Sequence, residues 1–148
     1  MAHLNCSVAQ TLEVVGEWWT LLVVRNLMFG QRRFEAIQGD LGIARNILSD
    51  RLGTLVEHGI VDRVKYQDHP ERFEYRLTDK GRDLFPVIAA LMAWGDTWAA
   101  PSGKPIELVH DCGAIATATV VCDACGKPLV LHDVKAKAGP AWHRDEQS

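Results

Sequence analysis

The sequence predicts a mainly α fold with one small β hairpin, α+β in class, followed by a small β-rich appendage. Three observations predict it. Four successive segments between residues 7 and 59 repeat apolar side chains at helical spacing. Between residues 60 and 77 the apolar period drops to two, the period of a strand, before turning helical again. After the linker "APSGKP" the composition shifts to short β-like runs set around cysteines. A chain of 148 residues buries one respectable core and leaves room for a small extra unit. The expected boundaries are 1–100 for the main domain and 106–142 for the appendage.

Ser7 is placed to cap a first helix whose apolar positions are Val8, Leu12 and Val15, with Gly16 to end it. Trp18 to Phe29 gives a second helix, apolar nearly all round and stopped at Gly30; such a helix belongs in the middle of a core. A short third helix centres on Phe34 and Ile37 and runs into the turn residues Gly39, Asp40 and Gly42. The fourth, "ARNILSDRLGTLVEH", turns Leu48, Leu52, Leu55 and Val56 inward and closes at Gly59, a left-handed cap. The alternating segments "GIVDRVKY" and "RFEYRL" form a hairpin, with Val61, Val64 and Tyr66 as the apolar residues of the first, Phe73, Tyr75 and Leu77 of the second, and Gln67 to Glu71 as its turn. From Thr78 or Asp79 a long fifth helix is expected to reach Ala100, kinked by Pro86 about two turns in. Beyond it "ATATVV" and "PLVLHDV" read as short strands.

No apolar run approaches the roughly 18 residues of a membrane span, and the start shows no basic flank followed by an apolar stretch. The cytoplasm is therefore expected, and with it reduced thiols: the four cysteines read as ligands or reactive groups rather than as a disulfide framework. A net charge of −3 speaks against nucleic acid, but its distribution does not. Residues 31–82 hold ten Lys/Arg against nine Asp/Glu, and what DNA requires is clustering on one surface.

Helices, hairpin and closing helix in this order make a winged helix-turn-helix. An α-helix fits the major groove, and a wing beside it grips the flanking phosphates. Opposite the leucines, the fourth helix carries Asn46, Ser49, Asp50 and Gly53, with Arg45 in its first turn. Asn and Arg are the side chains that read adenine and guanine edges with two hydrogen bonds. The wing supplies Arg63, Lys65, His69 and Arg72, and Arg32 and Arg33 precede the third helix as backbone clamps.

The segment from Gly16 to Gly81 resembles the HxlR family of bacterial winged-helix regulators, relatives of the MarR type. The landmarks are Cys6, Trp18, Arg33-Phe34, Gly42-Ile43, Leu48-Ser49, Arg51-Leu52, Leu55, Gly59, Arg63, Tyr66, Pro70, Glu74-Tyr75, Leu77-Thr78 and Gly81. The resemblance runs from about residue 6 to 98. It implies a homodimer on a palindromic or near-palindromic operator, acting as a repressor more often than an activator. The first and last helices would form the dimer interface, and Arg51 would join the DNA contacts. Three positions depart from the family pattern. Glu17 stands where a basic residue is usual. Ala44 stands where Ser or Thr caps the reading helix, at a cost of about 1 kcal/mol. Gly53 stands mid-helix, at a similar cost of roughly 1 kcal/mol relative to Ala. A homodimer also follows from the fifth helix itself, whose apolar residues spread over more than one stripe and call for a second partner surface.

Cys6 stands just before a helix whose dipole favours thiolate, so it reads either as a redox sensor or as a small buried residue. The tail has two readings as well. His110, Cys112, Cys122 and Cys125, each pair followed by Gly, form the donor set of a structural, zinc-ribbon-like Zn²⁺ site, with His132 as a substitute for His110. Alternatively it is a β appendage with reduced cysteines. Trp18, Trp19, Trp94 and Trp98 read as aromatic core or as the lining of a pocket for a small-molecule effector. Two other functions stand against the regulator: a metal- or redox-responsive protein-interaction module, and a small zinc enzyme. The second lacks the His-x-Glu and Pro-Cys-x-x-Cys pattern of the zinc deaminases, and four protein ligands leave no open metal position.

Overall fold

The computed structural model describes residues 6 to 141. They divide into two compact units, one of Cys6–Ile88 and one that begins at Ala89, within a helix.

In the first unit α1 spans Ser7–Val15, α2 Trp18–Met28, α3 Phe34–Leu41 and α4 Arg45–Glu57. Cys6 rather than Ser7 occupies the N-cap of α1, with extended backbone, and Ser7 is the first helical residue. The nearly all-apolar α2 lies against α3, α4 and the hairpin, as its composition requires. Val23 and Val24 are fully buried with Ile37 of α3, Leu48, Leu52 and Leu55 of α4, and Val61. Val56 was expected inward but lies exposed, since it falls off the Leu48/Leu52/Leu55 stripe. Asn26 is the buried polar exception. Its amide donates to Asp40 at 2.7 Å and Gln31 at 2.8 Å, and its carbonyl accepts from Arg25 at 2.7 Å, so no part of the side chain lacks a partner. Gly42 caps α3 with φ +65°, a conformation that favours glycine.

The hairpin pairs β1 (Val61–Asp68) with β2 (Glu71–Leu77) in antiparallel register, Val61 opposite Leu77 and Asp68 opposite Glu71. The strands run further than their alternation suggested, leaving His69 and Pro70 at the tip. A register shift between Lys65 and Gln67 leaves Tyr66 out of the ladder. Tyr66 is exposed there.

The single long fifth helix expected after Thr78 is in fact two. One turn, α5 (Asp79–Arg82), precedes α6 (Phe85–Trp98). The break is set by Pro86, which stands second in α6, where a missing N–H costs nothing, and not two turns into a continuous helix. Thr78 caps α5: its hydroxyl accepts from the Gly81 amide at 3.1 Å and lies 2.6 Å from the Gly59 carbonyl, to which it donates. Gly81 packs so tightly on the Ile60 carbonyl that no Cβ fits there.

Beyond α6 the second unit has little regular structure. β3 (Leu108–Val109) pairs with β4 (Ile115–Ala116), and Val121 bridges Pro128. The runs "ATATVV" and "PLVLHDV" do not become strands: the first contributes only Ala116 to β4, and the second forms a 3₁₀ turn at Leu131–Asp133.

Candidate nucleic-acid interface

The outer face of α4 is what the leucine stripe leaves over. Asn46, Ser49, Asp50 and Gly53 recur at i, i+3, i+4 and i+7 and all are exposed. Asn46 and Ser49 have no side-chain hydrogen bond among the described residues, so their donors and acceptors face solvent. A helix about 10–12 Å across fits a major groove about 12 Å wide.

Beside this face lies an open cleft of about 830 Å³ between α3 and the wing, lined among others by Arg33, Arg45, Arg63 and Arg72. Three of the four guanidiniums rest on aromatic rings. Arg33 lies 4.6 Å from the centre of the Tyr66 ring, Arg45 4.8 Å from Phe34 and Arg63 3.6 Å from Phe73. Such stacking, about 0.5–1 kcal/mol each at exposed sites, fixes the plane of a guanidinium and leaves its edge N–H groups free for phosphate. The unpaired position of Tyr66 in the β1 bulge is what presents its ring to Arg33. Arg72 has no side-chain partner among the described residues. The shelves of Tyr66, Phe73 and Phe34 were not foreseen from the sequence, although the "RRF", "RVKY" and "ERF" interleaving of cations with aromatics was there to be read.

The other expected contacts differ in how free they are. Arg45 donates to both Glu35 carboxylate oxygens at 3.0 and 3.1 Å, an exposed pair worth no more than about 1 kcal/mol. A good bidentate contact to guanine discriminates by about 1–3 kcal/mol, so Arg45 can exchange Glu35 for a base at a net gain. Lys65 is matched by Glu71 at 2.7 Å and Asp68 at 3.8 Å, which lowers its value as a clamp. His69 stands exposed at the wing tip. Arg51 faces the other way. Its guanidinium lies 3.6 Å from Glu17, its side chain is only 28% exposed, and its Nε is buried without a partner. Glu17 meanwhile caps α2, accepting from the Trp19 amide at 2.9 Å. The residue that departs from the family pattern thus holds Arg51 inside the protein.

The remaining sequence candidates lie elsewhere. Cys6 is exposed, and the amides of Ala9 and Val8 in the first turn of α1 hold its thiol below the ordinary range. Only Trp19 packs against the core; Trp18, Trp94 and Trp98 are exposed, and none of the four lines the clefts described here. The tail forms two turns. In the first, the Cys112 amide donates to His110 Nδ1 at 3.2 Å and Gly113 takes φ +88°. In the second, the Gly126 amide donates to the Cys122 carbonyl at 2.7 Å and Gly126 takes φ +75°. The amides of Cys125 and Ala124, then the Cys125 thiol, hold the Cys122 thiol below its usual range. Yet among the described residues no three His, Cys, Asp or Glu side chains are placed to hold one ion. The four expected zinc ligands are not brought together, and His132 pairs with its neighbour Asp133 at 3.2 Å instead. These residues do not fit a four-ligand zinc centre.

Among the described residues no helix is long and apolar enough to cross a membrane. Comparison with known proteins agrees with the geometry. The chain is similar to the HTH-type transcriptional regulator Rv3095 of Mycobacterium tuberculosis (strain ATCC 25618 / H37Rv), 49% identical over 92% of this chain and 87% of that one. It is similar in structure to the transcription factor PA1607, with TM-score 0.81 and 38% identity over 93% of this chain and 97% of that one. The oxidised form of the redox regulator HypR matches with TM-score 0.58 and 32% identity, over 62% of this chain and 96% of that one. The model of the HxlR-like helix-turn-helix matches residues 14–103, and the chain belongs to that family of DNA-binding transcriptional regulators.

Proposed function

We propose that the protein acts as a homodimer on a palindromic or near-palindromic operator, where α4 reads bases and the arginine cleft and wing hold the backbone. The observation that carries this reading is the exposed Asn46/Ser49 face of α4, set beside guanidiniums already oriented on aromatic rings. Asn46, Ser49 and Arg45 specify; Arg33, Arg63 and Arg72 position, with minor help from Lys65 and His69. Dimerisation is supported by apolar side chains that the single chain leaves in water: Val8 and Leu12 on α1, and Leu91, Trp94 and Trp98 on α6, the last three 53%, 64% and 73% exposed. A twofold mate sets two reading helices about 34 Å apart, one turn of duplex. Bound across a promoter, such a dimer blocks polymerase, so repression is the output. Its work is binding without catalysis, in the cytoplasm where the DNA lies.

A redox input at Cys6 is a second element of the reading. It is favoured by the exposed thiol, its lowered pKa and the similarity to a redox regulator. The test is a gel shift on duplex from upstream of the protein's own gene, run over a salt series before and after peroxide. The expected result is retarded duplex whose affinity falls steeply with salt, and weakens with peroxide unless Cys6 is replaced by serine. Salt-insensitive binding would contradict the proposed backbone grip.

A further inference from the structure

Glu35 stands among the arginines of the cleft beside α4, its side chain 71% exposed. A carboxylate there adds nothing to a grip on phosphate, so its use has to be sought in its partners. Phe34, Glu35 and Gln38 fall within one turn of α3, and Arg45, the first residue of α4, meets all three. The guanidinium lies 4.8 Å from the centre of the Phe34 ring. Its Nη1 donates to the two Glu35 oxygens at 3.1 and 3.0 Å and reaches Gln38 Oε1 at 3.5 Å.

Each of these bonds uses Nη1. Arg45 Nη2 and Nε make no hydrogen bond among the described residues, so donors remain even while the pair is closed. The Glu35 carboxylate accepts from Arg45 alone among the described residues, and each of its oxygens has a further lone pair. Arg45 and Glu35 thus present a row of fixed order: two N–H donors, then an acceptor. The major-groove edge of a G·C pair is the complement of that row, with guanine N7 and O6 as acceptors followed by cytosine N4 as donor. An A·T pair presents acceptor, donor, acceptor. Against it the second donor meets a donor and the carboxylate meets an acceptor.

We infer that Glu35 is a specificity-determining residue: it accepts from cytosine N4 while Arg45 donates to guanine N7 and O6 of the same base pair, so that the two side chains read one G·C pair as a unit. The inference rests on the base reading proposed above for α4 and adds to it a residue of α3. Discrimination falls most heavily on Glu35, because a carboxylate carried into the groove and given no donor loses its water without replacement. Glu35 also lies in the first turn of α3, where a negative charge suits the helix dipole, but that role is the same for every operator sequence.

Gel-shift titration of the full chain on duplex from upstream of its own gene tests the assignment, with each cytosine replaced in turn by N4-methylcytosine. The methyl group takes the place of the N4 hydrogen that faces the groove and leaves Watson–Crick pairing intact. At one G·C pair in each half-site, methylation should weaken wild-type binding about tenfold, and Glu35→Ala should bind the methylated and unmethylated duplexes alike. 7-Deazaguanine at the same pair, which removes N7, should still weaken Glu35→Ala, since that variant keeps Arg45. Glu35 is exposed, so the fold should survive, with circular dichroism as the check. A wild type indifferent to N4-methylation at every position would overturn the inference, as would a Glu35→Ala variant that remains as sensitive to it as wild type. Loss of the 7-deazaguanine effect alone in Glu35→Ala would also overturn it, because Glu35 would then only aim Arg45. Failure of base reading as a whole looks different: a wild type that binds every duplex alike, with no change in Arg45→Ala, removes the proposed function and this inference together.

Discussion

Arg45 and Arg51 lie six residues apart on α4 and differ in fate because of what stands opposite each. Arg45 meets Glu35 in solvent, where the pair is cheap to open; Arg51 meets Glu17 with its Nε already buried. Replacing Arg51 by Met should therefore keep the fold and leave base preference unchanged. Replacing Glu17 by Ala removes a helix cap, worth about 0.5–2 kcal/mol, and leaves a partly buried cation unmatched. A loss of about 1–2 kcal/mol in urea unfolding is expected. Asn46→Ala should cost about 1–3 kcal/mol at one operator base pair and relax preference there, whereas Arg72→Gln should weaken all sequences alike and lower the salt slope by about 1, both read by binding titrations. Cys6 adds a pH prediction. Because its thiol titrates below the ordinary range, alkylation by iodoacetamide in a variant lacking the other three cysteines should reach its plateau at lower pH than a model thiol. Residue types were legible in the sequence, because Asn46 and Ser49 follow from the leucine stripe by periodicity alone. Partners were not: Glu17 with Arg51, Glu35 with Arg45 and Arg33 with Tyr66 join separate elements, and their meeting is decided by packing.

At the scale of elements, α4 carries two glycine- and cap-related weaknesses at its own reading face. A Cβ at Gly53 would meet nothing within the protein, so Gly53→Ala should raise stability by about 1 kcal/mol in thermal or urea melts. The same methyl group would project from the face offered to DNA, so operator affinity should fall as stability rises. Gly81 is the opposite case. Its Cβ would collide with the Ile60 carbonyl, and Gly81→Ala should destabilise by about 1–3 kcal/mol as α5 is pushed off the start of β1. Helix existence was legible from period, and helix ends were less so. Pro86 signalled a disruption, but whether it kinks one helix or begins another depends on α5 having ended at Arg82, with Asp83 as its C-cap. The tail misled because apolar β-like runs form strands only when a partner covers them. Here Val120 and Leu131 are exposed and the described ladders are two residues long.

For the whole molecule, the total charge of −3 does not report the cationic cleft proposed to bind DNA, because ion pairs such as Lys65 with Glu71 cancel some cations and leave others free. The order of helices and wing was readable, and the apolar residues on α6 that the single chain leaves exposed support the second copy proposed above. Leu91→Glu combined with Trp94→Glu should shift the protein from dimer to monomer in sedimentation equilibrium and abolish operator binding with it. The central claim, that two copies each lay α4 in a groove of one duplex, is tested most directly by hydroxyl-radical footprinting of the operator. Two protected patches related by twofold symmetry, about 10 base pairs apart on one side of the duplex, are the predicted result. A single patch, or protection unchanged when Asn46 and Ser49 are replaced by Ala, would contradict it.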